Sequence, residues 1–168
     1  MTAPITSFKG EHEFLSSFYE HPFQLPEMPG EWWNTREHAF QAAKAVSHPD
    51  FLRVRNAPSA YRAKQIGRAI ECRPDWDKIK KGVMLRIMSA QFESNFAGTM
   101  REQLIATRPC QLIEGNTWND TYWGAIPYGD GQVSKATPMF QADDRTMWLG
   151  ANWLGRLLMV VRNVIADG

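Results

Sequence analysis

The nine residues Arg36-Glu37-His38-Ala39-Phe40-Gln41-Ala42-Ala43-Lys44 carry the densest chemical information in this chain of 168 residues. Wound as a helix, they place Glu37, Phe40, Gln41 and Lys44 on one stripe, because positions i, i+3, i+4 and i+7 share a face. An acid, an amide and an amine around one aromatic ring can be a solvated face, since Glu and Lys are good helix formers and usually exposed. The stripe can also be a pocket wall. There the amine's pKa falls on desolvation, and the pair suits acid–base or Schiff-base chemistry. Ala39, Ala42, Ala43, Ala45 and Val46 cover most of the remaining circumference with small apolar groups, which favours the wall. Thr35 or Asn34 can cap this helix, and Glu37 then lies in the first turn, where the helix dipole favours an ionised acid.

Two further segments hold candidate groups. In Asp120-Thr121-Tyr122-Trp123-Gly124 the Asp beside Gly is ordinary turn chemistry on one reading. On the other it is a carboxylate next to an indole that stacks on a planar ring, with Gly124 admitting the backbone close to a ligand. Gly150-Ala151-Asn152-Trp153-Leu154-Gly155 precedes an amphipathic run. Asn152 caps a helix there, or the free amides of that helix start receive phosphate. Trp76, between Asp75 and Asp77, either anchors a helix in the core or forms a stacking wall. His12, His21, His38 and His48 show no metal-ligand spacing, and two cysteines do not complete one, so no metal or other cofactor is expected.

Bulk properties bound the remainder. The length fits one domain, residues 1 to 168, with a real core. A formal net charge of +1 gives no support to a protein that coats nucleic acid. The charge is uneven, however: residues 53 to 86 hold ten Lys or Arg against Glu71, Asp75 and Asp77. Such a segment is either an anion-facing surface or a solvated helix face. Cys72 and Cys110 suggest no disulfide framework, and neither a signal peptide nor a long apolar span is visible, so a cytosolic, membrane-free location is expected.

The elements that must position these groups follow from periodicity. Residues 5 to 25 read as extended, and the prolines at 22, 26 and 29 disfavour a helix before Thr35. A first helix is predicted over 36 to 47, stopping before Pro49. A second starts at Asn56-Ala57-Pro58 and runs through Ile70. A long helix is expected over 76 to 95, with Ile79, Val83, Met84, Ile87, Met88 and Ala90 as its core stripe. Further helices are predicted over 100 to 106 and along Leu154, Leu157, Leu158, Val161 and Ile165, with a short strand at 111 to 114. Residues 115 to 150 read as irregular, a long connection of the kind that is usually functional or mobile. The architecture is α+β, mainly helical, a single compact domain with a few short strands.

Taken in order, Phe14-Leu15-Ser16-Ser17-Phe18-Tyr19, Glu37 to Lys44, Asp75-Trp76, Asp120 to Gly124 and the run from Gly150 to Arg162 resemble the motifs of the NADAR (YbiA-like) N-glycosidase family. The resemblance spans nearly the whole chain and implies a mostly helical YbiA-like fold. It also implies cleavage of the N-glycosidic bond between ribose and a base. Two substrate classes come with it: ADP-ribose on guanine in DNA or RNA, and phosphoribosylamino-pyrimidine intermediates of riboflavin synthesis. The implied site holds Glu37, Lys44 and Asp120 as catalytic groups, with Phe18, Arg36, Trp76, Trp123, Gly124 and Asn152 against the substrate. In the mechanism suggested by the resemblance, neutral Lys44 forms a Schiff base, Glu37 relays protons, and Asp120 orients a hydroxyl or water. Direct hydrolysis is the rival within the same reaction class, and a module that binds ADP-ribose without turnover is the alternative function. Ser17 stands where the family more often has Asn, and Ala151 where Lys is frequent. The connection from Gly124 to Gly150 is of the longer kind.

Overall fold

The computed structural model describes residues 2–94, 97–129, 137–143 and 146–168. The chain forms two compact units, Ser16–Glu102 and Met1–Leu15 with Gln103–Gly168. The fold is mainly helical with small antiparallel sheets, as the sequence predicts.

The unit of residues 16–102 opens with a short hairpin, β1 (Phe23–Gln24) antiparallel to β2 (Trp32–Trp33). Helix α1 (Arg36–Ala42) follows, with α2 (His48–Arg55), α3 (Ala60–Ala69) and α4 (Trp76–Glu93) packed around it. The Thr35 hydroxyl caps α1 by accepting from the amide of His38 at 3.3 Å. All seven residues of α1 are buried, the polar Arg36, Glu37, His38 and Gln41 included. Polar groups persist inside only when they are hydrogen-bonded. His38 Nε2 donates to the carbonyl of Ala57 at 3.0 Å, which leaves Nδ1 to accept from the Thr35 hydroxyl at 2.8 Å. Arg36 Nη2 donates to the Ser16 carbonyl at 2.8 Å, and its guanidinium lies 5.2 Å from the centroid of Phe92. The Glu37 amide donates to the Ser17 carbonyl at 3.0 Å.

Helix α1 is shorter than predicted. It ends at Ala42, and Ala43 is its C-cap. Ala45 then bridges antiparallel to Cys72, and the Lys44 carbonyl accepts from the Arg73 amide at 2.9 Å. Pro49 is not a stop signal but sits at the start of a helix that the periodicity does not reveal. It occupies the first turn of α2, where its missing N–H costs nothing, behind the Ser47 cap. Helix α3 begins at Ala60 after the Ser59 cap, so Pro58 precedes the helix and does not enter its first turn. Helix α4 ends at Glu93; the predicted residue 95 lies outside the described residues. Trp76, Met84, Ile87, Met88, Gln91 and Phe92 are its buried residues, while Ile79, Val83 and Ala90 are half-buried.

Helix α5 (Thr99–Ala106) carries the chain into the other unit. Residues predicted as extended near the N-terminus form a 3-10 helix, Gly10–Leu15, that buries Phe14 and Leu15. The predicted strand at 111 to 114 contributes only a single parallel bridge, Leu112 with Ile5. Most of the order that periodicity misses lies between residues 115 and 150, predicted as irregular. There β3 (Ile126–Pro127), β5 (Met147–Leu149) and β4 (Met139–Gln141) form an antiparallel sheet in that spatial order. Trp148, Ile113, Ala125 and Ala142 cluster together there as a small core. Strands of two or three residues are too short for an alternation to register. Part of the connection from Gly124 to Gly150 lies outside the described residues. The last helix, α6 (Trp153–Asp167), buries Leu154, Leu157, Leu158, Val161 and Ile165 as its periodicity requires. Among the described residues, no helix is long and apolar enough to cross a membrane.

Candidate active site

Glu37 is 5 % exposed in the first turn of α1. One turn on, Gln41 Nε2 donates to Glu37 Oε1 at 2.7 Å. Burial pushes the Glu37 carboxyl above its ordinary value, because the charged form loses its hydration. The ammonium of Lys64 opposes this most, followed by the Gln41 hydrogen bond, Lys44 and Arg68. The carboxyl is therefore held between an environment that protonates it and donors that keep it ionised.

Lys44 stands just beyond the C-cap of α1, not within the helix, and is half-buried. Its Nζ lies 5.8 Å from the ring centroid of Phe40 and 5.8 Å from that of Trp76. Those two rings meet at 4.9 Å with a 56° tilt, and Trp76 is buried at the head of α4. Aromatic faces favour an ammonium, yet burial draws its pKa below that of a free lysine. Glu37 is the strongest influence in the other direction, while the like charges of Arg68 and Lys64 add to the lowering. A lysine so placed has a larger neutral fraction near neutrality, which nucleophilic attack requires.

Helix α3 brings groups that the sequence shows only as part of an undifferentiated basic segment. Gly67 faces α1, and a Cβ there would collide with the Gln41 side chain, including Cβ at 2.8 Å and Cδ at 2.9 Å. That close approach places the flanking Lys64 and Arg68 where their charges act on both Glu37 and Lys44. Phe18, 37 % exposed, has its ring centroid 5.4 Å from Lys64 Nζ. The signal available in the sequence is the spacing Lys64, Gly67, Arg68 on one helix face, with a glycine where two helices must touch. Arg36 is 1 % exposed and tied to Ser16 and Phe92, which holds the segment before Phe18 against the start of α1.

The other expected site residues group in the second unit. Asp120 Oδ1 accepts from the amides of Tyr122, at 3.1 Å, and Trp123, at 2.8 Å, so this carboxylate does organise a turn. Asn116 clamps the same turn, donating from Nδ2 to the Asp120 carbonyl at 2.8 Å and accepting from the Asp120 amide at 3.0 Å. Trp123 packs edge-on against Tyr122 at 5.1 Å and is half-buried. Gly124 is explained by packing: a Cβ there would meet the Glu114 carbonyl and, at 2.6 Å, Asn116 Nδ2.

Asn152 departs from both readings of it. It precedes α6 in a left-handed conformation, φ 49°, and makes no side-chain cap. Its Nδ2 instead donates to the Leu112 carbonyl at 2.9 Å, and its Oδ1 accepts from the Glu114 amide at 3.0 Å. The helix-start amides are not open either. Those of Asn152, Trp153 and Leu154 donate to the carbonyls of Gly124, Tyr122 and Trp123. The Asp120 to Gly124 turn thus caps α6 with its own backbone.

Known proteins place this chain in a family. The NADAR domain family matches residues 6–166. The N-glycosidase YbiA of Escherichia coli is 32 % identical over 154 residues, covering 90 % of this chain and 81 % of that protein. A riboflavin biosynthesis protein of Vibrio vulnificus is 30 % identical over 172 residues, 99 % of this chain but 40 % of the longer relative. The solution structure of Escherichia coli YbiA matches the fold with a TM-score of 0.72 at 31 % identity, over 99 % of this chain and 88 % of that one. With its motifs, its fold and nearly all of its length in agreement, the chain belongs to the NADAR domain family.

Proposed function

We propose that this protein is an N-glycosidase that hydrolyses the bond between ribose and the nitrogen of a base, using Lys44 as a nucleophile. The observation that carries the reading is the pair of buried Glu37 and half-buried Lys44. A carboxyl driven toward protonation stands in the first turn of α1 and an amine driven toward neutrality just beyond its C-cap, the amine beside the rings of Phe40 and Trp76. Groups whose pKa values are pushed toward neutrality from opposite sides are suited to exchanging a proton. The names of the relatives, an N-glycosidase and a riboflavin biosynthesis protein, support the same reaction class.

Neutral Lys44 Nζ forms a bond to the anomeric carbon, or to its ring-opened equivalent. The bond from that carbon to the base nitrogen breaks, and the leaving nitrogen takes a proton that Glu37 supplies. On the closed ring, the bond from that carbon to the ring oxygen then breaks and a proton passes from Nζ to that oxygen, which leaves the Lys44 imine. Water then adds to the Lys44 imine carbon, the carbon–Nζ bond breaks, and Glu37 recovers its proton. The net change is one water consumed, with a free base amine and a free sugar released. Phe18 and Trp76 are assigned the support of the base. Those assignments rest on the family motifs. The substrate is either ADP-ribose on guanine or a phosphoribosylamino-pyrimidine.

Incubation with an ADP-ribosylated guanine oligonucleotide and, separately, with the riboflavin intermediate tests the reading. Mass spectrometry should show release of the base and the sugar from one of them. Intact substrate in both, with protein that is folded by circular dichroism, would refute it.

A further inference from the structure

The stretch from Arg53 to Arg86 is rich in cations, and several are neutralised in place. Arg53 pairs with Asp50, Arg55 with Glu31, Arg73 with Asp75, Lys80 with Asp77 and Arg86 with Glu27. Lys64 and Arg68 are different: among the described residues neither has a carboxylate in salt-bridge contact, and nor does Lys44. These two lie one turn apart on α3, on either side of the Gly67 contact with Gln41. Lys64 is half-buried and rests on the face of Phe18, so its ammonium is held in place instead of sweeping through solvent. The charges of Lys64, Lys44 and Arg68 all act on the single buried carboxyl of Glu37, the two lysines half-buried and Arg68 exposed, which leaves an excess of positive charge beside α1. Such an excess is stabilised when an anion arrives.

We propose that Lys64 and Arg68 bind the phosphoryl group on the C5 arm of the ribosyl substrate, with Phe18 fixing the Lys64 ammonium. This rests on the glycosidase reading, which brings the anomeric carbon to Lys44, and it adds which residues hold the 5′-phosphoryl group of the sugar. A 5′-phosphoryl oxyanion occurs both in a ribose monophosphate and in the diphosphate of ADP-ribose. The chemistry recognised is common to the two.

Calorimetric titration with ribose 5-phosphate, ADP-ribose and unphosphorylated ribose tests this without requiring turnover. The native protein should bind ribose 5-phosphate, ADP-ribose or both about tenfold or more tighter than ribose, as charge-assisted hydrogen bonds provide. Whichever phosphorylated probe shows the preference identifies its source, a terminal monophosphate or a bridging diphosphate. The preference should vanish in the variant carrying Lys64→Gln and Arg68→Gln, and should largely return with Lys64→Arg and Arg68→Lys. Should the double variant fold poorly, Arg68→Gln alone, at an exposed position, should still weaken the preference. Equal affinity of the native protein for all three probes would overturn the proposal, as would an unchanged preference in a well-folded variant. Base release measured on the same preparations separates the two readings. Phosphorylated sugar that binds without any base release defeats the glycosidase reading alone, and equal release from a riboside and its 5′-phosphate defeats the phosphoryl site alone.

Discussion

The Gln41 side chain donates from Nε2 to Glu37 Oε1 at 2.7 Å across one buried turn of α1. One carboxylate oxygen is thereby committed to a fixed donor, and Oε2 carries no hydrogen bond among the described residues. A carboxyl anchored through one oxygen presents the other in a defined direction, which proton transfer to a sugar requires. The donor also counts among the influences that keep Glu37 ionised against burial.

Replacing Gln41 by Leu removes that donor, and the Glu37 pKa should rise further. The limb of the kcat/KM profile that reports Glu37 is expected to move to higher pH, with kcat/KM reduced about tenfold, the worth of one hydrogen bond to a charged group. If Gln41 only filled space, the rate would fall without any movement of the limb.

Glu37→Gln separates activity from stability. Loss of the acid–base group should reduce kcat by about 10²- to 10⁴-fold. Stability should change in the opposite sense. The folded pKa of Glu37 is raised, so between the ordinary carboxyl value of 4.5 and the raised value the folded state binds more protons than the unfolded one. The contribution of this group is fully present below 4.5 and is lost as pH rises through the folded pKa. The melting temperature of Glu37→Gln should therefore gain on that of the native protein as pH is raised from about 4 toward neutrality. A melting difference that is constant with pH would show that burial does not strain the carboxyl.

The stripe from Glu37 to Gln41 and its Thr35 cap were legible because side-chain type and helical spacing agree there. The position of Lys44 was not, since Ala43, Ala45 and Val46 extend the helical pattern past its true end. What stops the helix is a tertiary contact, the bridge of Ala45 to Cys72, which no local propensity encodes. The roles of Lys64 and Arg68 were hidden for a similar reason. A count of charges cannot tell a paired surface cation from one set beside a buried acid. The turn chemistry of Asp120 was readable from its neighbours, whereas the two backbone partners of Asn152, forty and thirty-eight residues away, were not.

Gly67→Ala tests how closely α1 and α3 must approach. Alanine is the better helix former by about 0.8–1 kcal/mol, which alone would stabilise α3. The added methyl instead overlaps the Gln41 side chain, and overpacking costs about 1–3 kcal/mol. Urea unfolding should show a net loss, accompanied by lower kcat as Gln41 is pushed from Glu37. A variant more stable than the native protein with full activity would mean that the helices separate freely.

Asn152→Ala should be damaging for structural reasons. It deletes the bonds to Leu112 and Glu114 and places a Cβ-bearing residue with no compensating side chain in a left-handed conformation. A loss of about 2–4 kcal/mol in unfolding free energy is expected from one buried and one partly buried hydrogen bond and the backbone cost. Titration with ribose 5-phosphate on the folded fraction should give unchanged affinity, because the Asn152 amide is already engaged. A selective loss of affinity with normal stability would return Asn152 to the ligand.

The nucleophilic role of Lys44 is tested most directly by trapping. Protein, substrate and borohydride are incubated together, and the products are analysed by intact mass and peptide mapping. A reduced sugar adduct confined to Lys44, absent from Lys44→Arg, with that variant nearly inactive, is the predicted result. Robust base release with no adduct, or a Lys44→Arg variant that retains appreciable activity, would contradict it and leave direct hydrolysis in its place.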